Sequence, residues 1–311
     1  MPLDRHAQRF LKMLALSGPP SSGGAAQRRL DLETLCDLGE LPAEPGVTVR
    51  DLVVGGETGP MAARLYRPDG AAAPAPTLIY LHGGGWSAGS LRTHDGLCRR
   101  LAAASRRQIL ALDYGLAPER PFPGGLNDAL AGVRWAANHA RELDADPDRL
   151  GLAGDSAGAN LAAAAAAQLA ETGAPRLALL LLICPILDIA RRSPSRLAYS
   201  DGYFLDQATL EADVAGYLPP GADPADPRLS PLLARSLAGL PPTLIHTAEF
   251  DPCRDEAAFY AENLRAAGVP VRHTDHAGMV HYFYALPRAI PYALEAVRAM
   301  GEEVGEMLQP S

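Results

Sequence analysis

Lysine is almost missing from this chain. Lys12 is the only one among 311 residues, and the arginines are scattered instead of forming a block. With a net charge of −8 there is no basic surface for a phosphate backbone, so no nucleic-acid partner is implied. Cysteine is sparse too: Cys36, Cys98, Cys184 and Cys253 stand far apart, with no CxxC and no histidine at metal-ligand spacing. That pattern gives no metal site and leaves buried free thiols in a reducing cytosol. Long apolar runs are absent as well, and nothing approaches the length of a membrane span. The apolar stretch 10–16 near the start is interrupted by Lys12, preceded by Asp4 and followed by no immediate small-residue cleavage site, unlike a signal peptide. A cytoplasmic protein is expected.

Glycine, by contrast, is plentiful, and its placement carries the reading. In Gly154-Asp-Ser-Ala-Gly158 a serine stands between a short apolar run, 150–153, and an alanine-rich run, 161–169, opened by Asn160. The first reads as a buried strand and the second as a helix. A strand that turns into a helix within one residue crowds its neighbours, and glycines two before and two after relieve that crowding. The serine hydroxyl is lifted clear of the sheet, with the next backbone N–H at the positive end of a helix. The pentapeptide alone is weak; the strand before it and the helix after it are the context the motif requires.

Periodicity supplies the scaffold. Residues 47–54 and 62–67 alternate as two antiparallel strands, and 77–81, 109–113, 150–153, 177–184, 243–247 and 271–274 follow as mostly continuous apolar runs, as in a parallel sheet covered on both faces. Helical patterns lie between them, the clearest being Ile290, Leu294, Val297, Val304 and Leu308. The expected fold is one α/β domain over 1–311, an eight-stranded mostly parallel sheet with helices on both faces. Two segments lie outside this alternation. Ala7, Phe10, Leu11 and Leu14 mark an amphipathic helix, followed by the breaker 17–24 and a short helical piece at Leu32, Leu35 and Cys36. Nearly sixty residues also separate the strand ending at Cys184 from that beginning at Thr243, with a helical stripe at Leu210, Val214, Tyr217 and Leu218 capped by Asp206. Segments 1–45 and 186–230 are expected to form a helical cap over the carboxyl ends of the strands.

A serine hydroxyl needs a base, and the base a carboxylate. His281, after the last strand and a turn at 277–280, is favoured as the base over His273 and His276 within or at the end of that strand. Asp251, in a turn fixed by Pro252, is favoured as the acid; Asp188 competes, and Asp255 belongs to the first turn of a helix. The order Ser156, Asp251, His281 is that of α/β-hydrolases. His82-Gly-Gly-Gly-Trp86 follows a strand and exposes backbone N–H groups, so Gly83 and Gly84, with Ala157, are expected to hold an oxyanion. His82 itself shapes the loop. No lysine and no GxGxxG spacing support phosphate cradling there.

His82-Gly-Gly-Gly-Trp86, Asp113-Tyr-Gly-Leu-Ala-Pro-Glu119, Gly154-Asp-Ser-Ala-Gly158, Asp251-Pro-Cys-Arg-Asp-Glu256 and Gly278-Met-Val-His281 together resemble the bacterial esterases of the hormone-sensitive-lipase family. The resemblance implies a capped α/β-hydrolase that cleaves carboxylic esters of short to medium acyl chain without a cofactor. It carries Ser156, Asp251 and His281 onto the family triad and Gly83, Gly84 and Ala157 onto its oxyanion donors. Trp86 and Asp155 are expected to be substrate-binding residues, Trp86 lining the site and Asp155 tying the elbow to the lid. Three positions depart from the pattern: Gly115 stands for arginine, Cys253 for leucine, and Tyr282 for glycine after the histidine. Lactonase, amidase and carbamate hydrolase use the same acyl chemistry, and a small-molecule receptor with a degraded triad uses the same fold. Homodimerisation through an edge strand is compatible with such a fold.

Overall fold

The computed structural model describes residues 2–16, 24–43 and 45–309; the breaker expected at 17–24 lies, but for its last residue, outside them. Two helices, α1 (Arg5–Leu16) and α2 (Gly24–Gly39), precede the sheet. Then come β1 (Val47–Gly55), β2 (Pro60–Pro68), β3 (Ala75–Leu81), α3 (Asp95–Ser105), β4 (Gln108–Leu112), α4 (Gly124–Asn138), β5 (Ala145–Asp155), α5 (Ala157–Thr172) and β6 (Leu179–Ile183). The inserted segment holds α6 (Pro194–Ala198) and α7 (Gln207–Tyr217), and β7 (Thr243–Phe250), α8 (Arg254–Ala266), β8 (Val271–Val280) and α9 (Tyr292–Met307) complete the chain.

The strands form one sheet in the order β1-β2-β4-β3-β5-β6-β7-β8, antiparallel at β1, β2 and β4 and parallel from β4 onward. Side chains alternate across it, as a period of two requires. Ile79, Leu81, Leu152 and Leu182 face one core with α4, α5 and α8. Leu78, Tyr80, Leu181 and Ile183 face the other with α3 and α9. Both faces are covered, which is why the central runs are apolar throughout. Chain order reverses at β3, which pairs with β4 on one side and β5 on the other. Ligand sites of open α/β sheets lie at such a switch point, and the loop after β3 and the turn after β5 meet there.

Boundaries differ from expectation at several places; β5 begins at Ala145 and β7 runs on to Phe250. Helix α5 starts at Ala157, so Asn160 lies in its first turn instead of opening it. Strand β8 runs on to Val280 and absorbs the turn expected at 277–280. Helix α2 spans 16 residues instead of a short piece. The N-terminal and inserted segments do meet: the rings of Phe10 and Phe204 lie 5.8 Å apart, and Arg28 pairs with Asp213. The expected cap of α7 is present, with the Asp206 carboxylate accepting from the Thr209 N–H at 2.7 Å.

Candidate active site

Ser156 joins β5 to α5 with φ 52° and ψ −118°, a conformation side chains rarely adopt. Its N–H donates to the Ile183 carbonyl at 2.9 Å, fastening the turn to β6. The flanking glycines are sterically required. A Cβ on Gly154 would lie 2.4 Å from the backbone of Gly158, and one on Gly158 would lie 2.1 Å from the Leu81 carbonyl oxygen.

Asp251 and His281 arrive from the ends of β7 and β8. The Asp251 carboxylate is fully buried; Oδ1 accepts from the Cys253 N–H at 2.8 Å and Oδ2 lies 2.7 Å from His281 Nδ1. That bond places the imidazole proton on Nδ1, so Nε2, 2.9 Å from Ser156 Oγ, is free to accept the hydroxyl proton. Cys184 Sγ also lies near this pair, the three facing atoms being within 4.8 Å of one another. The trio does not fit a metal. Burial, then the Asp251 charge, pushes the thiol well above its usual range, and the imidazole and carboxylate already face each other.

The competitors lie elsewhere. Asp188 accepts from the backbone N–H groups of Ala190 and Arg191, and Asp255 accepts from the Ser195 N–H. His273 bonds Thr247. His276 is buried between His246 and Tyr292, at 3.1 and 3.0 Å. His82 stacks on Tyr114 at 4.5 Å and its Nδ1 faces the Gly83 carbonyl, so it shapes the loop as expected; burial, with His94 nearby, lowers it to about 4.

Two expectations need correction. Gly83 is not a free donor: its N–H bonds Asp155 Oδ1 at 2.9 Å. Among the described residues the N–H groups of Gly84, Gly85 and Ala157 hold no backbone or side-chain acceptor. Nor is Asp155 open to a substrate or bonded to the lid. It is completely enclosed, and its oxygens also accept from Tyr80 at 2.7 Å and Tyr284 at 2.9 Å, with His94 Nε2 at 3.2 Å. Burial alone would raise this carboxyl, but the His94 charge and these hydrogen bonds hold it at about 2. Asp155 therefore clamps the elbow to the glycine loop. The tie to the inserted segment comes instead from Asn160, whose Nδ2 donates to the carbonyls of Ile186 and Leu229, both at 2.9 Å.

Trp86 is 1 % exposed and stacks on Tyr217 of α7, centroids 4.7 Å apart. The departures are accommodated. Tyr282 has φ 68° and turns its hydroxyl to Cys36 at 3.2 Å, leaving both His281 bonds intact. Gly115 makes room for Arg120, whose Cδ would lie 2.4 Å from an added Cβ and whose Nη1 reaches Asp128 at 2.9 Å. Sequence reasoning missed Asp213, a carboxylate on the inner face of α7 beside Leu210 and Tyr217. A helical stripe of apolar residues interrupted by one acid was the available signal.

A hydroxyl, an imidazole and a carboxylate in one hydrogen-bonded line, at the carboxyl rim of a doubly wound sheet, make up the machinery of a serine hydrolase. Comparison with known proteins agrees. Residues 78–285 match the model of the α/β hydrolase fold. A carboxylic ester hydrolase of Mycobacterium tuberculosis is 42% identical over 83% of this chain and 70% of its own length; an ethyl acetate hydrolase of Pseudomonas putida is 37% identical over 98% and 95%. Among solved structures, an ester hydrolase from the Lake Arreo metagenome superposes with a TM-score of 0.95 at 36% identity, covering 98% of each chain. The chain belongs to the α/β hydrolase fold family, in the hormone-sensitive-lipase-like group that its motifs resemble. No helix among the described residues is long and apolar enough to cross a membrane.

Proposed function

We propose that this chain is a serine carboxylic ester hydrolase that acts through an acyl-enzyme on esters of short to medium acyl chain. The observation that carries the reading is the unbroken line from Asp251 through His281 to Ser156, with bonds of 2.7 and 2.9 Å. Ser156 Oγ attacks the acyl carbon as His281 Nε2 takes its proton, and Asp251 holds the imidazolium that forms. The negative oxygen is held by the N–H groups of Gly84, Gly85 and Ala157, Gly83 being committed to Asp155. His281 returns the proton to the departing alcohol. Water then repeats the sequence on the acyl-enzyme. Trp86, backed by Tyr217, forms a wall of the substrate pocket, and segments 1–45 and 186–230 form its cap. A short acyl chain is supported by the enclosure of Ser156 and His281, 6% and 3% exposed, and by the ethyl acetate named for one relative. Four buried, unpaired cysteines support a reducing, cytoplasmic setting.

Rates for p-nitrophenyl acetate, butyrate, octanoate and dodecanoate, with one anilide and one lactone, test this reading. The highest kcat/KM is expected at acetate or butyrate. Turnover of the anilide or lactone in preference to every ester would overturn it. The glycine loop gives a second expected result. Gly84 has φ 124°, and a Cβ there would lie 2.3 Å from the Ala88 carbonyl oxygen. Gly84→Ala should displace an oxyanion donor and lower kcat about a hundredfold. Folded Gly84→Ala with parental kcat would remove this residue from the hole.

A further inference from the structure

Asp213 is placed where a buried acid is least expected. It lies on the inner face of α7, its side chain only 5% exposed, between Leu210 and Tyr217. The carboxylate sits directly over the glycine loop: a Cβ on Gly85 would lie 2.0 Å from Oδ2 and 2.7 Å from Oδ1. His281 is near enough for its charge to act on the group, and burial, opposed by Arg28 and His281 and assisted by Asp206, raises it to about 7. A buried charge is costly unless paired. The partner is Arg28 of α2, Nη2 to Oδ2 at 2.6 Å. The pairing is one-armed. Arg28 Nε is buried without a partner, and among the described residues Asp213 Oδ1 holds no hydrogen bond. Arginine and carboxylate pairs frequently close a two-bond fork, and this one does not. Here one strong acceptor is left open beside the oxyanion donors.

On the ester-hydrolase reading, we infer that Asp213 is a specificity-determining residue whose free Oδ1 accepts a hydrogen bond from a hydroxyl group carried close to the scissile ester. A hydroxyl fits better than an ammonium because Arg28 already balances the carboxylate charge. The preferred substrates are therefore hydroxylated esters, on the acyl or the alcohol side.

The test compares kcat/KM for ethyl butyrate, ethyl lactate, ethyl 3-hydroxybutyrate, 2-hydroxyethyl butyrate and the O-methyl ether of each hydroxylated ester. At pH 8.5, where the Asp213 carboxyl is ionised, a hydrogen bond to this charged acceptor leads us to expect about a tenfold or greater advantage for at least one hydroxylated ester over its own ether. Asp213→Asn is close to isosteric. With its carbonyl held by Arg28 it presents an amide N–H where Oδ1 stood, so the ratio of hydroxyl to ether should fall to about one or below. Asp213→Leu should also erase the ratio, and either variant alone suffices if the other does not fold. The wild type favouring no hydroxylated ester, or the same ratio persisting in a folded variant, overturns the inference. Ethyl butyrate separates the two readings: if the wild type hydrolyses no ester at all, the ester-hydrolase reading fails first.

Discussion

Replacement of Ser156 by alanine should lower kcat for p-nitrophenyl butyrate roughly a millionfold, as loss of the nucleophile does where nucleophile and base act as one unit. The backbone of the turn is not put at risk. Its φ of 52° costs alanine about what it costs serine, and among the described residues the hydroxyl's only hydrogen bond is to His281 Nε2. The melting temperature should therefore stay close to the parent's while covalent labelling by a fluorophosphonate disappears. A residual rate within tenfold of the parent would mean that the acyl group is attacked by something else. Water activated directly by His281 is the alternative such a result would favour.

The second large effect is expected at Asp251. Its carboxylate accepts from two donors at once, the Cys253 N–H and His281 Nδ1. Asparagine can offer its carbonyl to only one of them. If the carbonyl goes to Cys253, the amide N–H points at Nδ1, the imidazole proton moves to Nε2, and the base is blocked against the serine. Asp251→Asn should then cut kcat about ten-thousandfold with the geometry intact. The same ester assay measures it, with circular dichroism to check the fold. Asp188→Asn is the control, expected to stay within about threefold, because that carboxylate is occupied by backbone N–H groups at 190 and 191. Reversal of the two outcomes would hand the acid's role to Asp188.

Much of this architecture was legible because it is written in residue spacing. Every strand expected from an apolar run is present, and the serine, the acid and the base come from the ends of β5, β7 and β8 on one rim, with β6 between the first two. Register and long-range pairing were not legible. Nothing in His82-Gly-Gly-Gly-Trp86 states that the first glycine's N–H belongs to Asp155, since that bond depends on two strands of the sheet lying side by side, Leu81 against Gly154. Residues 277–280 resemble a turn because Gly278 is there, yet β8 accommodates it as an irregularity with φ 76° and continues. Arg120 takes up the space left by Gly115 from five positions downstream, a compensation visible only in three dimensions.

The Asn160 side chain binds carbonyls at both roots of the inserted segment to the helix that begins beside the nucleophile. If, as proposed, that segment is a cap, one stitched down at its base would not swing away as a whole. Entry for a bulky guest would then open at the other margin, where Arg28 of α2 pairs with Asp213 of α7 and Phe10 meets Phe204. Because that carboxylate is enclosed, added salt would loosen the contact little, and the floor beneath it stays still.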